Sequence, residues 1–227
     1  MIILDMLRIG KQRWITHIAL GLLCAAGAYA GHLYAPYADA NYVFTIGFGY
    51  TALILIAVSL MVGPFKLLSQ RRNPVNIDLR RDMGIWSAIT GCLHVFFGLQ
   101  LHERGQIILY FLEPTPHGYR LLRNLFGLSN DVGALATILL VVLLVISNDL
   151  SLRRLKGKRW KLLQRGNYLL AAFALAHTFG YQTVSRREHI FTDGVILLTL
   201  ATLVIQLAGV YLYRSRRARL MRIPKKA

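Results

Sequence analysis

The chain has 227 residues, 55% of them hydrophobic and 16% charged, with a mean hydropathy of +0.46; this balance excludes an ordinary soluble domain and points to a polytopic membrane protein. Its 27 lysines and arginines stand against 10 acidic residues, a formal charge of +17, yet the cations cluster between apolar runs, as membrane topology requires, and need no nucleic-acid partner. The two cysteines, Cys24 and Cys92, sit inside apolar runs and read as buried, inert thiols, neither a disulfide nor a metal site.

At the amino terminus Arg8, Lys11 and Arg13 precede an apolar run of roughly 20 residues, too long for the core of a signal peptide, and the run is read as a retained first helix. Six apolar stretches reach or approach the roughly 17 to 25 residues that a bilayer-crossing helix needs. They run over about 15–34, 42–62, 83–101, 132–146, 167–183 and 190–213, with room for the fourth to begin earlier, within 125–128. With a cytoplasmic amino terminus, 22 of the 27 cations fall on inner segments, leaving Arg104, Arg120, Arg123, Arg186 and Arg187 outside. Both termini are therefore expected inside. The expected fold is all-α: a polytopic membrane bundle of six transmembrane helices, a single domain over 1–227, multi-pass in a cell membrane of the bacterial inner-membrane kind. No stretch is long enough for a soluble flavin or nicotinamide domain, and no glycine-rich phosphate loop follows a strand.

Two connections exceed tight turns. The outer one, 103–131, contains the run QIILYFL, Pro114 and Pro116, and then 119–128, which reads as an interfacial amphipathic helix, either capping the bundle or lying on lipid. The inner one, 147–165, alternates leucines with a dense basic set, places Trp160 at interface depth and is expected to anchor to the inner leaflet. Asp82, Asp131 and Asp149 read as helix caps.

The third and fifth stretches each hold a histidine. An ionisable side chain in a span is costly and marks a functional site by default. His94 lies 12 residues beyond Asp82 and His177 lies 12 beyond Arg165, so both fall about 18 Å from the inner surface. Two imidazoles at one level could ligate a haem iron from both sides; the alternative is that each bonds a neighbouring helix. Leu93, Phe96, Phe97 and Phe179 would supply an apolar interior. Gly91, Gly98, Ala174, Ala176 and Gly180 would leave room for a flat ring. There is no CxxCH, so such a haem b would be non-covalent. His102, about two turns above His94, is placed to guide a proton, a quinone head or a metal substrate. Arg186 and Arg187, with Arg120 and Arg123, lie on the outer side, where they could pair with haem propionates or form an outer-face site.

The runs RRDMGIWSAITGCLHVFFGL and SNDLSLRRLKGKRWKLLQRGNYLLAAFALAH resemble the ferric reductase-like transmembrane domain family. That family includes the haem-binding membrane subunit of a bacterial methionine sulfoxide reductase system, the STEAP metalloreductases and the membrane part of NADPH oxidases. The resemblance covers about Arg80 to His177 and implies a haem-binding core over about 80–183. It also implies that His94 and His177 are the axial ligands of the haem iron. Members with two haems carry a further histidine thirteen positions before the second ligand; here that position is Gln164, which implies one haem, in the outer half of the bilayer. The function so implied is a membrane b-type cytochrome moving electrons from a quinol or redox partner protein to an outer-face acceptor. Oxidoreductase activity would need that external donor; a flavin near the inner basic loop is possible but not indicated. The alternative is a haem-free membrane scaffold or transporter-like protein that kept the six-helix fold.

Overall fold

The computed structural model describes residues 11–69 and 77–222; Arg8, Arg71, Arg72, Lys225 and Lys226, counted above, lie outside them. Among the described residues seven α-helices follow one another: α1 (Lys11–Tyr34), α2 (Ala40–Leu68), α3 (Ile77–Gly98), α4 (Leu125–Val145), α5 (Asp149–Gln164), α6 (Gly166–Val184) and α7 (His189–Arg222). Between α3 and α4 lie two 3-10 turns, Glu103–Gly105 and Ile107–Tyr110, and an antiparallel hairpin of β1 (Leu112–Thr115) and β2 (Gly118–Leu121). The hairpin marks one end of the bundle and α5 the other, here called the hairpin end and the basic end.

Among the described residues four helices, α1, α2, α4 and α7, are long and apolar enough to cross a membrane by length and composition. The other two expected spans form α3 and α6, whose apolar character is diluted by polar residues. Helix α3 begins with Asp78, Arg80, Arg81 and Asp82, and α6 carries Asn167, His177, Thr178 and Gln182. Helices α2, α3, α4 and α6 surround a central cavity. Helix α1 packs on α2 and α3, and α7 mainly on α2. Toward the basic end the space between the four helices is filled by Ile56, Ala88, Ala136, Leu140, Leu143 and Leu170. In a chain of this kind such contacts hold helices together by close packing, since lipid tails are as apolar as leucine.

Helix ends follow side-chain chemistry. Asn124 Oδ1 accepts from Gly127 N at 2.8 Å and Asn148 Oδ1 from Ser151 N at 2.7 Å, so α4 and α5 start at asparagine caps. Helix α4 begins at Leu125, the earlier of the two expected starts. The expected caps fall elsewhere: Asp131 lies inside α4, Asp149 follows the cap, and Asp82 lies a turn and a half into α3, 1% exposed and paired with Arg13 of α1.

The expected amphipathic helix over 119–128 is not formed. Gly118, at φ +129°, turns the chain after Pro116, and Tyr119 and Arg120 pair in β2 with Pro114 and Glu113. Arg120 Nε then donates to Glu113 Oε1 across the hairpin at 2.6 Å; strand pairing satisfies that backbone before a helix can start at Leu125. Trp160 packs inward at the junction of α4 and α5. It is 8% exposed and donates from Nε1 to Ile146 O at 2.9 Å, tying α5 to the end of α4. Helix α5 is broken at Lys156, where φ is +56°. Cys24 is buried but Cys92 is exposed on the outside of the bundle, and both are free.

Candidate functional site

His94 and His177 meet in the cavity, with ring centroids 5.9 Å apart and planes at 84°. They reach it from separate helix pairs, His94 from α3 packed on α2 and His177 from α6 packed on α4. Each ring is held the same way. His94 Nδ1 lies 2.8 Å from Thr45 O of α2, and His177 Nδ1 lies 2.8 Å from Ser129 O of α4. A carbonyl can only accept, so each ring carries its proton on Nδ1 and presents Nε2 as the nitrogen with a free lone pair.

The approach is made possible by two glycines that sequence reasoning passed over. A Cβ at Gly49 would sit 2.7 Å from His94 Nδ1, and one at Gly133 would sit 2.5 Å from His177 Nδ1. Each glycine stands four residues beyond the accepting carbonyl, Thr45 before Gly49 and Ser129 before Gly133, so it lies one turn further along the same face. The signal was present in the sequence as a hydroxyl residue, three residues and a glycine, on the helix paired with each histidine helix.

The cavity measures ≈ 790 Å³, within the range of small-molecule and cofactor sites. Helical spacing decides what lines it. On α3 the lining face is Gly91, His94, Val95 and Gly98, and on α6 it is Leu170, Ala174, His177, Thr178, Tyr181 and Gln182. Leu93, Phe96, Phe97 and Phe179 lie off those faces and do not line it; Phe97 instead packs with Phe44 and Phe48. Ala176 and Gly180 also fall outside the lining, and Gly180 faces Ser129. The apolar wall comes from Ile46, Leu53, Ile56 and Leu140 among others.

At the hairpin end an aromatic cluster rises from the site. The Tyr181 ring lies 4.9 Å from that of His177, and His102, Phe126 and Tyr110 pack beyond it in tilted and edge-on contacts at centroid distances of 5.6 to 6.3 Å. Tyr181 donates to Asn130 Oδ1 at 2.6 Å, and Asn130 Nδ2 donates to Tyr110 O at 3.1 Å. Although α3 ends at Gly98, His102 still lines the cavity because Tyr110 Oη accepts from His102 N at 3.0 Å and lies 2.9 Å from both Gly98 O and His102 O. Burial is the main cause that pushes the Tyr110 phenol above its ordinary range. The neutral phenol is thus favoured in the fold, and this clamp weakens only as pH rises through the elevated value.

The four arginines separate. Arg187 lines the cavity, donating from Nη1 to Tyr42 Oη at 3.2 Å with its guanidinium 5.4 Å over the Tyr42 ring. Arg186 does not: it takes a left-handed conformation, φ +47°, at the end of α6. Arg186 N donates to Thr183 O and Arg187 N to Gln182 O, a Schellman end that turns the chain back over the bundle. Arg120 and Arg123 line a separate surface recess beside Glu113. Gln164, at the basic end, donates to Ser147 Oγ at 3.1 Å. Among the described residues no group of three or more His, Cys, Asp or Glu side chains is placed to hold a metal ion.

These features define an all-α membrane protein whose central helices present two tautomer-fixed imidazoles to one cavity. The chain belongs to the ferric reductase like transmembrane component family, which matches residues 48–176. Among curated proteins it is similar to the protein-methionine-sulfoxide reductase heme-binding subunit MsrQ of Azospira oryzae, 28% identical over 178 residues, 78% of this chain and 70% of the relative. The MsrQ of Rhodospirillum rubrum is 30% identical over 165 residues, covering 71% and 72% of the two chains. That of Herminiimonas arsenicoxydans is 26% identical over 164 residues, covering 72% and 68%.

Proposed function

We propose that this chain is a membrane b-type cytochrome that binds one non-covalent haem between His94 and His177. In this reading six helices (α1, α2, α3, α4, α6 and α7) span the bilayer, both termini are cytoplasmic, and the hairpin end faces outward. The observation that carries it is the pair of histidines with Nδ1 bonded to backbone carbonyls at 2.8 Å. Metal-ligating histidines are held in this way, the second-shell bond fixing the tautomer and ring orientation. Both rings stand in one cavity with centroids 5.9 Å apart, so the two imidazoles would hold one iron between them.

The haem would supply a one-electron carrier. His94 and His177 would hold it, Ile46, Leu53, Ile56 and Leu140 would keep water from it, and the Thr45 and Ser129 carbonyls keep the imidazole protons on Nδ1. Gln164 in place of a second histidine, and the filled space toward the basic end, support a single haem. The relatives' names make them heme-binding subunits of a protein-methionine-sulfoxide reductase. By that likeness the chain receives electrons from a quinol or redox protein and passes them to a reductase partner at the outer face.

The test is the visible spectrum of the purified protein in detergent, oxidised and dithionite-reduced, with a haem-to-protein ratio. A reducible b-type spectrum near one haem per chain is expected; a colourless protein after haem is supplied during expression would overturn the reading in favour of a scaffold. The supporting glycines give a second expected result. Gly133→Ala places a methyl against the His177 ring and should move it off Ser129 O, lowering haem affinity about 10- to 100-fold, as loss of a ligand's second-shell bond does. Titration of the variant with haem reads this directly, and wild-type affinity would show that the ring needs no such support.

A further inference from the structure

One polar atom in the cavity wall is left without a partner. Gln182 is 5% exposed and lines the cavity; its Nε2 donates to Tyr50 Oη at 3.1 Å, while its Oε1 is buried and meets nothing. Among the described residues it is the single buried side-chain nitrogen or oxygen in that state. Turning the amide over does not remove the problem. The Tyr50 hydroxyl can donate as well as accept, so it would then serve Oε1 and leave the Nε2 hydrogens unmet in the same place. In either orientation the fold supplies one partner and leaves the second place on the amide of this cavity-lining residue unmet.

Arg187 decides which kind of partner. Its guanidinium lines the same cavity, five residues along and brought back by the Schellman end, and only one of its N–H groups is used by Tyr42. The neighbouring acid, Asp39, accepts from Asn41 N at the start of α2. A guanidinium and an amide N–H on one wall suit an anionic acceptor, with Gln182 turned so that Nε2 faces the cavity and Tyr50 donates to Oε1.

We propose that Gln182, backed by Tyr50 and joined by Arg187, forms a carboxylate-binding subsite whose occupant is a propionate of the haem. This assignment rests on the haem reading above. Gln182 stands five residues beyond His177 on α6, a rise of about 7.5 Å toward the hairpin end, which suits a carboxylate on a short arm from a ring held at the His177 level. A separate small carboxylate would present the same chemistry.

The full chain, purified in detergent without haem, is titrated with haem b and with haem dimethyl ester, whose propionates are blocked, and binding is read from the visible absorption. Wild type is expected to bind haem b about tenfold more tightly than the ester, the size of one hydrogen bond to a charged group. Gln182→Leu should lose about tenfold for haem b and nothing for the ester. Gln182→Glu, of matched size, should weaken haem b further by setting two carboxylates together. Equal wild-type affinity for haem b and the ester would overturn the subsite while leaving the histidine-ligated haem in place. Enhancement of ester binding by added propionate ion would give the site to a free carboxylate and overturn the haem-propionate assignment. Failure of wild type to take up either compound would overturn the haem reading and this one with it.

Discussion

Replacing either His94 or His177 by alanine should abolish haem retention, while Gln164→Ala should leave it unchanged. Losing only the second-shell partner of a ligating histidine costs about 10- to 100-fold in metal affinity, so loss of the ring itself should exceed about 100-fold. The two rings are carried by different helix pairs, α2 with α3 and α4 with α6, so neither can move to replace the other without separating a packed interface. Gln164 provides the contrast because its amide is engaged with Ser147 at the basic end, beyond the apolar packing of Leu143 and Leu170. The measurement is the haem-to-protein ratio of each purified variant from the pyridine adduct. Retention of haem by both histidine variants would sink the ligand assignment, and loss of haem from Gln164→Ala would show a second site at the basic end.

The histidine level was legible from counting alone, because two helices running in one direction convert residue number into depth. Placement around each ring was less so. A helix face is fixed by neighbours as well as by spacing. The reading that chose Phe96, Phe97 and Phe179 for the interior followed residue type where rotation decides, and Phe96 is 59% exposed. Gly49 and Gly133 were missed because their role depends on a partner helix roughly 45 residues away in sequence, and a lone helical glycine announces nothing. The segment 119–128 was misread for a different reason. Leucines and arginines at mixed spacing fit a surface helix, but Pro114, Pro116 and Gly118 set a turn that commits the flanking residues to a two-stranded pairing. Arg186 and Arg187 looked equivalent in sequence; one left-handed residue at the end of α6 separates them, sending only Arg187 to the cavity.

Asp82 carries the second large effect, one of stability. It sits 1% exposed between α1 and α3, its carboxylate held by Arg13 Nη2 at 2.5 Å and Nε at 3.4 Å. His17 Nε2 lies 3.4 Å from the same Oδ1, and His17 Nδ1 accepts from Trp86 Nε1 at 3.1 Å. An indole N–H can only donate, so the histidine proton lies on Nε2, toward the carboxylate, and the four side chains close into one network joining α1 to α3. Asp82→Ala removes the buried anion that Arg13 and His17 both face. Breaking a buried pair from one side costs about 3 to 5 kcal/mol, whereas replacing both partners by apolar groups is often neutral; Arg13 is 25% exposed, which sets this case toward the lower figure. Thermal unfolding in detergent should therefore show a large fall in Tm for Asp82→Ala, a smaller one for Asp82→Asn, and recovery in the double variant Arg13→Leu with Asp82→Leu. An unchanged Tm in the single alanine variant would mean that α1 is held to α3 by apolar packing alone, through Leu20, Cys24 and Trp86.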